Sequence, residues 1–262
     1  MKRLIYQVYV GKRSKLYDHC VKSVAEYCKT YDIDHEVQRN PILRIKPNVF
    51  STNRSKESYE KHGGFLPIYE KENAFVHFKD YDQIAIVDAD IWIRPGSPNI
   101  FDDLESEYDF GGMVEQSAPI LPWYKEKIRT YSLMQYETLE LPWEWKGDDG
   151  GYPFMNMGLM LMNKSFTKYL KGQTPQQFLQ RGEFQPFVDG LGSWKWSTDQ
   201  TLLNYWIQKE KIKTKSLDWK WNTLYTTVSE DDLKKSYFVH FFLKNKLPNN
   251  GEDVNKLMRL VS

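Results

Sequence analysis

The residues best suited to chemistry are Asp88 and Asp90, which close the run Ile84-Ala85-Ile86-Val87-Asp88-Ala89-Asp90. A short continuous apolar run reads as a buried strand. Two carboxylates one residue apart at its carboxyl end can hold a divalent cation with oxygen ligands, Mg²⁺ or Mn²⁺. A cation there can bridge to a diphosphate and neutralise its charge as it leaves. The place is also right, because open α/β sheets bind ligands at the carboxyl ends of their strands. The 18 aspartates form three Asp-x-Asp pairs, Asp32/Asp34, Asp80/Asp82 and Asp88/Asp90, and only the last directly follows an apolar run. The first two fall in polar turns and read as solvated loop charges.

His240 is the second candidate. It lies inside Tyr237-Phe238-Val239-His240-Phe241-Phe242, an apolar strand, whereas His19, His35, His62 and His77 have polar or helical surroundings. A lone histidine in such a run is more often a hydrogen-bonded core residue than a ligand. It matters here because a carboxylate pair needs a further ligand and imidazole is a common one. The candidate metal set is therefore Asp88, Asp90 and His240. Lys246, six positions on, can offer a phosphate a point charge.

The elements that must position these groups follow an α/β pattern. Leu4–Val10 reads as a buried first strand, about Leu16–Tyr31 as a helix with Val21, Val24 and Cys28 on one face, and Ile33–Val37 as a second strand. Such a β-α-β opening favours a parallel sheet. Residues 38–65 are polar without a period and read as loop or short pieces. A helix is expected over Pro67–Lys79, strands over Gln83–Val87, Tyr108–Val114 and Phe154–Met162, and a helix capped by Ser197/Thr198 running to Lys209. Ile212–Leu217 and Tyr237–Phe242 read as late strands. Residues 115–153 look different: with Pro119, Pro122, Trp143, Trp145 and Asp149 they read as a long excursion over the open sheet face, holding a helix near 124–138. One domain over 1–262 carrying this insertion is the expected organisation.

Composition narrows the partners. Lys plus Arg is 36 and Asp plus Glu 35, a net charge of +1, which argues against nucleic acid as a main partner. The aromatic share of 15%, with 9 Trp and 17 Tyr, fits either an aromatic core or sugar binding. Cys20 and Cys28 are eight helical positions apart, about 12 Å, too far to bridge each other. Two free thiols fit a reducing, cytoplasmic setting. The apolar stretch Leu4–Val10 is too short for a signal peptide or membrane span, and no run of 18 apolar residues occurs elsewhere, so a soluble protein is expected.

These motifs, in this order over residues 1–247, resemble the GT-A-fold glycosyltransferases, most closely the retaining family 8 group of glycogenin and lipopolysaccharide hexosyltransferases. Asp88-Ala89-Asp90 looks like the Asp-x-Asp metal motif. Lys71, in Tyr69-Glu70-Lys71, stands where the family places a basic donor-binding residue. Phe154-Met155-Asn156-Met157-Gly158, running on to Asn163, looks like the family's Phe-Asn-x-Gly and the strand after it. Thr198-Asp199-Gln200 resembles the Asp-Gln pair beside the donor sugar, and His240 with Lys246 resembles His-x-x-Gly-x-x-Lys. Three positions depart from the pattern. Leu243 replaces the glycine, Met155 separates Phe154 from Asn156, and the chain reads Val10-Gly11-Lys12 where the family often has acidic or polar base-reading residues just after strand one.

The resemblance implies a Rossmann-like nucleotide-binding core, a mixed and mostly parallel sheet flanked by helices. It implies transfer of a hexose, with retention, from a nucleoside diphosphate sugar, by likeness a uridine diphosphate sugar, to a sugar or glycan. The donor would contact Tyr9, Val10, Lys71, Asp88, Ala89, Asp90, Gly158 and Lys246. Asp199 and Asn156 would hold sugar hydroxyls, with Gln200 near the anomeric carbon. Trp143, Trp145 and Asp149 of the excursion, together with Trp221, are the acceptor candidates. The cofactor would be Mn²⁺ or Mg²⁺. Two rivals stay open: a non-catalytic carbohydrate-binding module, which would account for the aromatics, and a haloacid-dehalogenase-like phosphatase. The phosphatases also end a strand with Asp-x-Asp, usually nearer the N-terminus and followed by Thr or Gly.

Overall fold

The computed structural model describes residues 1–49 and 53–261. Strands β1 (Arg3–Val8), β2 (Asp34–Gln38), β3 (Gln83–Val87), β5 (Phe110–Val114), β6 (Met155–Asn163) and β7 (Thr214–Ser216) form one sheet in the order β2-β1-β3-β6-β5-β7. Pairs β1/β2, β1/β3 and β5/β7 are parallel, and β6 runs antiparallel to both neighbours. Strands β4 (Ile91–Ile93), β8 (Thr223–Leu224) and β9 (Phe238–His240) form a second, three-stranded sheet in the order β4-β9-β8.

The sequence explains the central strands. All five residues of β3 and all nine of β6 are buried, as expected of strands covered on both faces. Side chains alternate between faces. Leu4, Tyr6, Ile84, Ile86, Met160 and Met162 accordingly join one core, while Ile5, Ala85, Val87, Leu159 and Leu161 join the other. Helix α1 (Lys15–Thr30) covers the second side, burying Leu16, Cys20, Val24, Tyr27 and Cys28 at helical spacing. Fully burying one such apolar side chain contributes about 1.5–3 kcal/mol.

Several expectations shift in detail. Pro67–Lys79 is wound as 3₁₀ turns rather than an α-helix and buries residues all round, Tyr69, Glu70, Glu72 and Phe75 among them. The segment 38–65, read as loop or short pieces, contains α2 (Asn53–His62), and its residues 50–52 lie outside those described. The strand expected over Tyr237–Phe242 is only β9 and belongs to the small sheet.

The 115–153 excursion holds α3 (Pro122–Tyr136) and packs on its own apolar cluster, with Tyr124, Ile128, Tyr136, Trp145 and Tyr152 against Phe154 and Leu224. Two short helices, α4 (Pro175–Leu179) and α5 (Gln185–Asp189), precede α6 (Asp199–Lys209). Helices α7 (Glu230–Lys235) and α8 (Val254–Val261) follow it. No helix among the described residues is long and apolar enough to cross a membrane.

Candidate active site

Asp88 sits one residue past β3, where its N–H continues the ladder by donating to the Gly158 carbonyl at 2.8 Å. The chain then turns, Ile91 N–H donating to Asp88 O at 3.1 Å, and enters β4. In the small sheet Ile91 pairs with His240, and Phe241 N–H donates to Asp90 O at 2.9 Å. That register brings an imidazole 150 positions away beside the strand-end acids. His240 Nε2 lies 3.3 Å from Asp90 Oδ1 and 3.8 Å from Asp88 Oδ2. One ligand atom from each of Asp88, Asp90 and His240 falls within 4.8 Å of the others.

The donor set suits a hard divalent cation: two carboxylates and an imidazole whose other nitrogen is occupied, His240 Nδ1 standing 3.1 Å from Asn222 Oδ1. Burial alone would lower the His240 imidazole, but Asp90 and Asp88 outweigh it and hold it above its ordinary value. Burial, opposed by Lys71 and aided by Asp90, pushes the Asp88 carboxyl up. Acids crowded in this way favour a cation among them.

Lys71 closes the other side. Its Nζ lies 2.6 Å from Asp199 Oδ2 and 3.1 Å from Asp88 Oδ1, and it donates to Met157 O at 2.9 Å. Burial works against its charge, but Asp199 and then Asp88 more than restore it, so the ammonium is held firmly. Asp199 opens α6, behind the N-cap Thr198. Removing one partner of a buried pair of this kind typically costs about 3–5 kcal/mol.

Asn156 and Gln200 meet on Glu115. Its Oε1 accepts from Asn156 Nδ2 at 2.8 Å and from Gln200 Nε2 at 3.0 Å, while Tyr124 OH donates to Oε2 at 2.6 Å. The resemblance puts Trp219-Lys220-Trp221-Asn222 at the border of the donor or acceptor site, whereas Glu115 has no signal in the sequence without the fold.

These groups surround an open cavity of about 640 Å³. It is lined by the apolar side chains of Val8, Val10, Pro67 and Ile68, by Tyr17 and Phe242, and by the polar groups of Asp88, Asp90, Asn156, Gln200 and His240. Of the expected donor contacts, Val10, Lys71, Asp88, Ala89, Asp90 and Gly158 line it. Tyr9 does not. It is buried, its hydroxyl accepts from Ser14 N–H at 2.6 Å, and Arg39 covers its ring at 4.1 Å. Tyr17, eight residues on, faces the cavity instead.

Lys246 is drawn off as well, its ammonium 3.8 Å from the centre of the Trp123 ring. Lys244 takes the wall position and lies 3.6 Å over Tyr17. Burial lowers the Lys244 ammonium, although Asp90 opposes the shift.

Of the acceptor candidates, Trp143 and Trp145 share one apolar cluster, and none of Trp143, Trp145, Asp149 and Trp221 lines the cavity. Trp145 is buried, with ring centres of Tyr136 and Tyr152 at 4.4 and 5.2 Å. Trp221 is buried against Tyr237 and Phe238, and its Nε1 donates to Asp103. Neither indole keeps a free face for a sugar, so both are corrected to core residues. Trp143 is half-buried against Tyr205, and Asp149 Oδ1 accepts from Gly151 N–H within a tight turn.

No protein-family model matches the chain, and no curated protein matches its sequence. Solved structures do. A glycosyltransferase involved in glycosylation of the major capsid of PBCV-1 aligns with a TM-score of 0.58 at 13% identity, over 98% of this chain and 100% of that one. The galactosyltransferase LgtC, solved with donor and acceptor sugar analogues, gives 0.55 at 12% identity, over 98% of this chain and 95% of that one. At such identities the likeness is one of fold. The chain has the GT-A fold, and its resemblance to GT-A glycosyltransferases, family 8 LgtC among them, runs over nearly its whole length.

Proposed function

We propose that the chain transfers a hexosyl group from a nucleoside diphosphate sugar to a sugar or glycan acceptor, with retention and with the help of Mn²⁺ or Mg²⁺. The observation that carries this reading is the convergence of Asp88, Asp90 and His240 within 4.8 Å at the carboxyl end of β3. Those three side chains would hold the ion. Bound there, it would supply positive charge against the diphosphate as the glycosidic bond breaks.

The chain's own groups have separable tasks. Lys71 brings a fixed positive charge beside Asp88, and Lys244 adds a second to the cavity lining. Electrostatic stabilisation of an anionic leaving group is then the largest catalytic contribution. The apolar lining of Val8, Val10 and Tyr17 suits a nucleobase, with uridine following from the family resemblance alone. Asp199 and Asn156 hold sugar hydroxyls, and Gln200 lies beside the anomeric carbon. No side chain offers itself as an unambiguous nucleophile, so the acceptor hydroxyl attacks from the leaving-group side. Trp143 and Asp149 remain acceptor candidates on the excursion. Cys20 and Cys28, both buried and free, fit a cytoplasmic location.

A panel of nucleotide sugars assayed for slow hydrolysis with and without Mn²⁺ tests the proposal. One donor should turn over only with the metal, and Asp88→Ala or Asp90→Ala should abolish that turnover. Metal-dependent turnover surviving in both variants would sink the assignment. A carbohydrate-binding module would bind sugars yet ignore the nucleotide.

A further inference from the structure

Resting on the reading of Asp88, Asp90 and His240 as a cation site, we propose that Glu115, through Asn156 and Asn222, fixes His240 as the Nδ1–H tautomer. That tautomer keeps the Nε2 lone pair turned toward the two acids. The four side chains come from the end of β5, from β6, from the turn before β8 and from β9, and they form one continuous run of hydrogen bonds.

Each amide orientation is dictated by the one before. Glu115 Oε1 receives two N–H groups, from Asn156 Nδ2 and Gln200 Nε2, so it is an acceptor whatever the state of Oε2. Asn156 must therefore point its amide nitrogen at Glu115 and its oxygen the other way. There Oδ1 accepts from Gly158 N–H at 2.9 Å and from Asn222 Nδ2 at 2.9 Å. Asn222 has then committed its nitrogen, and its oxygen faces His240 Nδ1 at 3.1 Å. An amide oxygen only accepts, so Nδ1 must carry the proton. A flip of Asn156 would set like against like at Glu115, Gly158 and Asn222, a flip of Asn222 would set its oxygen against that of Asn156, and all four residues are buried.

Glu115 and Asn222 are thus positioning residues, acting on the ion through other side chains. Glu115 Oε1 also holds Gln200, so one carboxylate orients both Gln200 and the amide chain that leads to His240.

The test reads the imidazole itself. In metal-free protein, above the pH at which the ring loses its second proton, long-range ¹H–¹⁵N spectra should show His240 Nδ1 protonated and Nε2 bare. Asn222→Leu should move the proton to Nε2, where it can bond Asp90, and weaken Mn²⁺ binding about 10–100-fold. Asn222→Asp retains an acceptor against Nδ1 and should keep the Nδ1–H tautomer, which guards against a variant that merely fails to fold. Glu115→Gln should weaken Mn²⁺ binding in the same direction by a smaller factor. An Nε2–H ring in the wild type overturns the proposal. So does an Asn222→Leu protein with unchanged tautomer and Mn²⁺ affinity. A wild type that has the Nδ1–H ring but binds no Mn²⁺ would instead count against the cation-site reading.

Discussion

A β-carbon added to Gly158 would lie 2.3 Å from Cε1 of His240, so the backbone of β6 and the imidazole are in direct contact. The same carbon would lie 2.9 Å from Oδ1 of Asn156. Gly158→Ala must therefore push the ring from its place beside Asp88 and Asp90. Mn²⁺ affinity should fall about 10–100-fold, and the overpacking should cost about 1–3 kcal/mol of stability. Calorimetric Mn²⁺ titration and a urea melt measure the two effects. Unchanged Mn²⁺ affinity would contradict the contact's importance.

The two lysines after His240 make a contrast. Lys244 walls the cavity, whereas Lys246 rests on Trp123. Lys244→Ala should raise KM for the donor about tenfold, as losing one charge-assisted contact predicts. Lys246→Ala should change it by about twofold or less, as expected of an ammonium spent on an exposed ring. Initial-rate kinetics on both variants decide the matter, and the reverse order would return the anion contact to Lys246.

Leu243 has φ 55° and ψ 57°, a left-handed conformation that glycine adopts freely and leucine does not. Such strain costs on the order of 1–3 kcal/mol and gathers at functional sites. Leu243→Gly should leave stability unchanged or raise it by up to about 1 kcal/mol, the relief being partly offset by glycine's chain entropy. Leu243→Val should lower it by more than about 1 kcal/mol, because β-branched residues tolerate this region least. Urea denaturation of the pair reads the difference.

Asp109, away from the cavity, makes a pH-dependent contribution to stability. Burial pushes its carboxyl up, but hydrogen bonds from Lys168, Ser165 and Tyr169 outweigh burial and hold it below the ordinary range. A carboxyl depressed on folding stabilises fully above its unfolded pKa, about 3.9. That contribution is lost as pH falls through the lower folded value. Asp109→Asn should cost about 2 kcal/mol at pH 7, and the gap from wild type should narrow below about pH 4. Thermal melts from pH 3 to 7 would show it.

What could be read from the sequence follows from how locally each feature is encoded. Ile84–Val87 of β3 is a continuous apolar run, so Asp88 and Asp90 are legible as strand-end acids, and the lone imidazole among Phe238, Val239 and Phe241 stands out. Trp145 and Trp221 misled because residue type does not say which ring faces a neighbour has already taken. That Lys244 rather than Lys246 lines the cavity is a matter of three-dimensional placement, which the spacing from His240 does not reveal. Glu115 was passed over because its role exists only across long separations, 41 positions to Asn156 and 85 to Gln200.

The central claim is that Asp88, Asp90 and His240 hold a divalent ion against a nucleoside diphosphate. Calorimetric titration of uridine diphosphate into the wild type and into Asp90→Asn, each with Mn²⁺ and with chelator, tests it most directly. The account predicts binding by the wild type that disappears with chelator, and at least about a hundredfold weaker binding by the variant in Mn²⁺. Equal affinity with and without the metal, in both proteins, would contradict it.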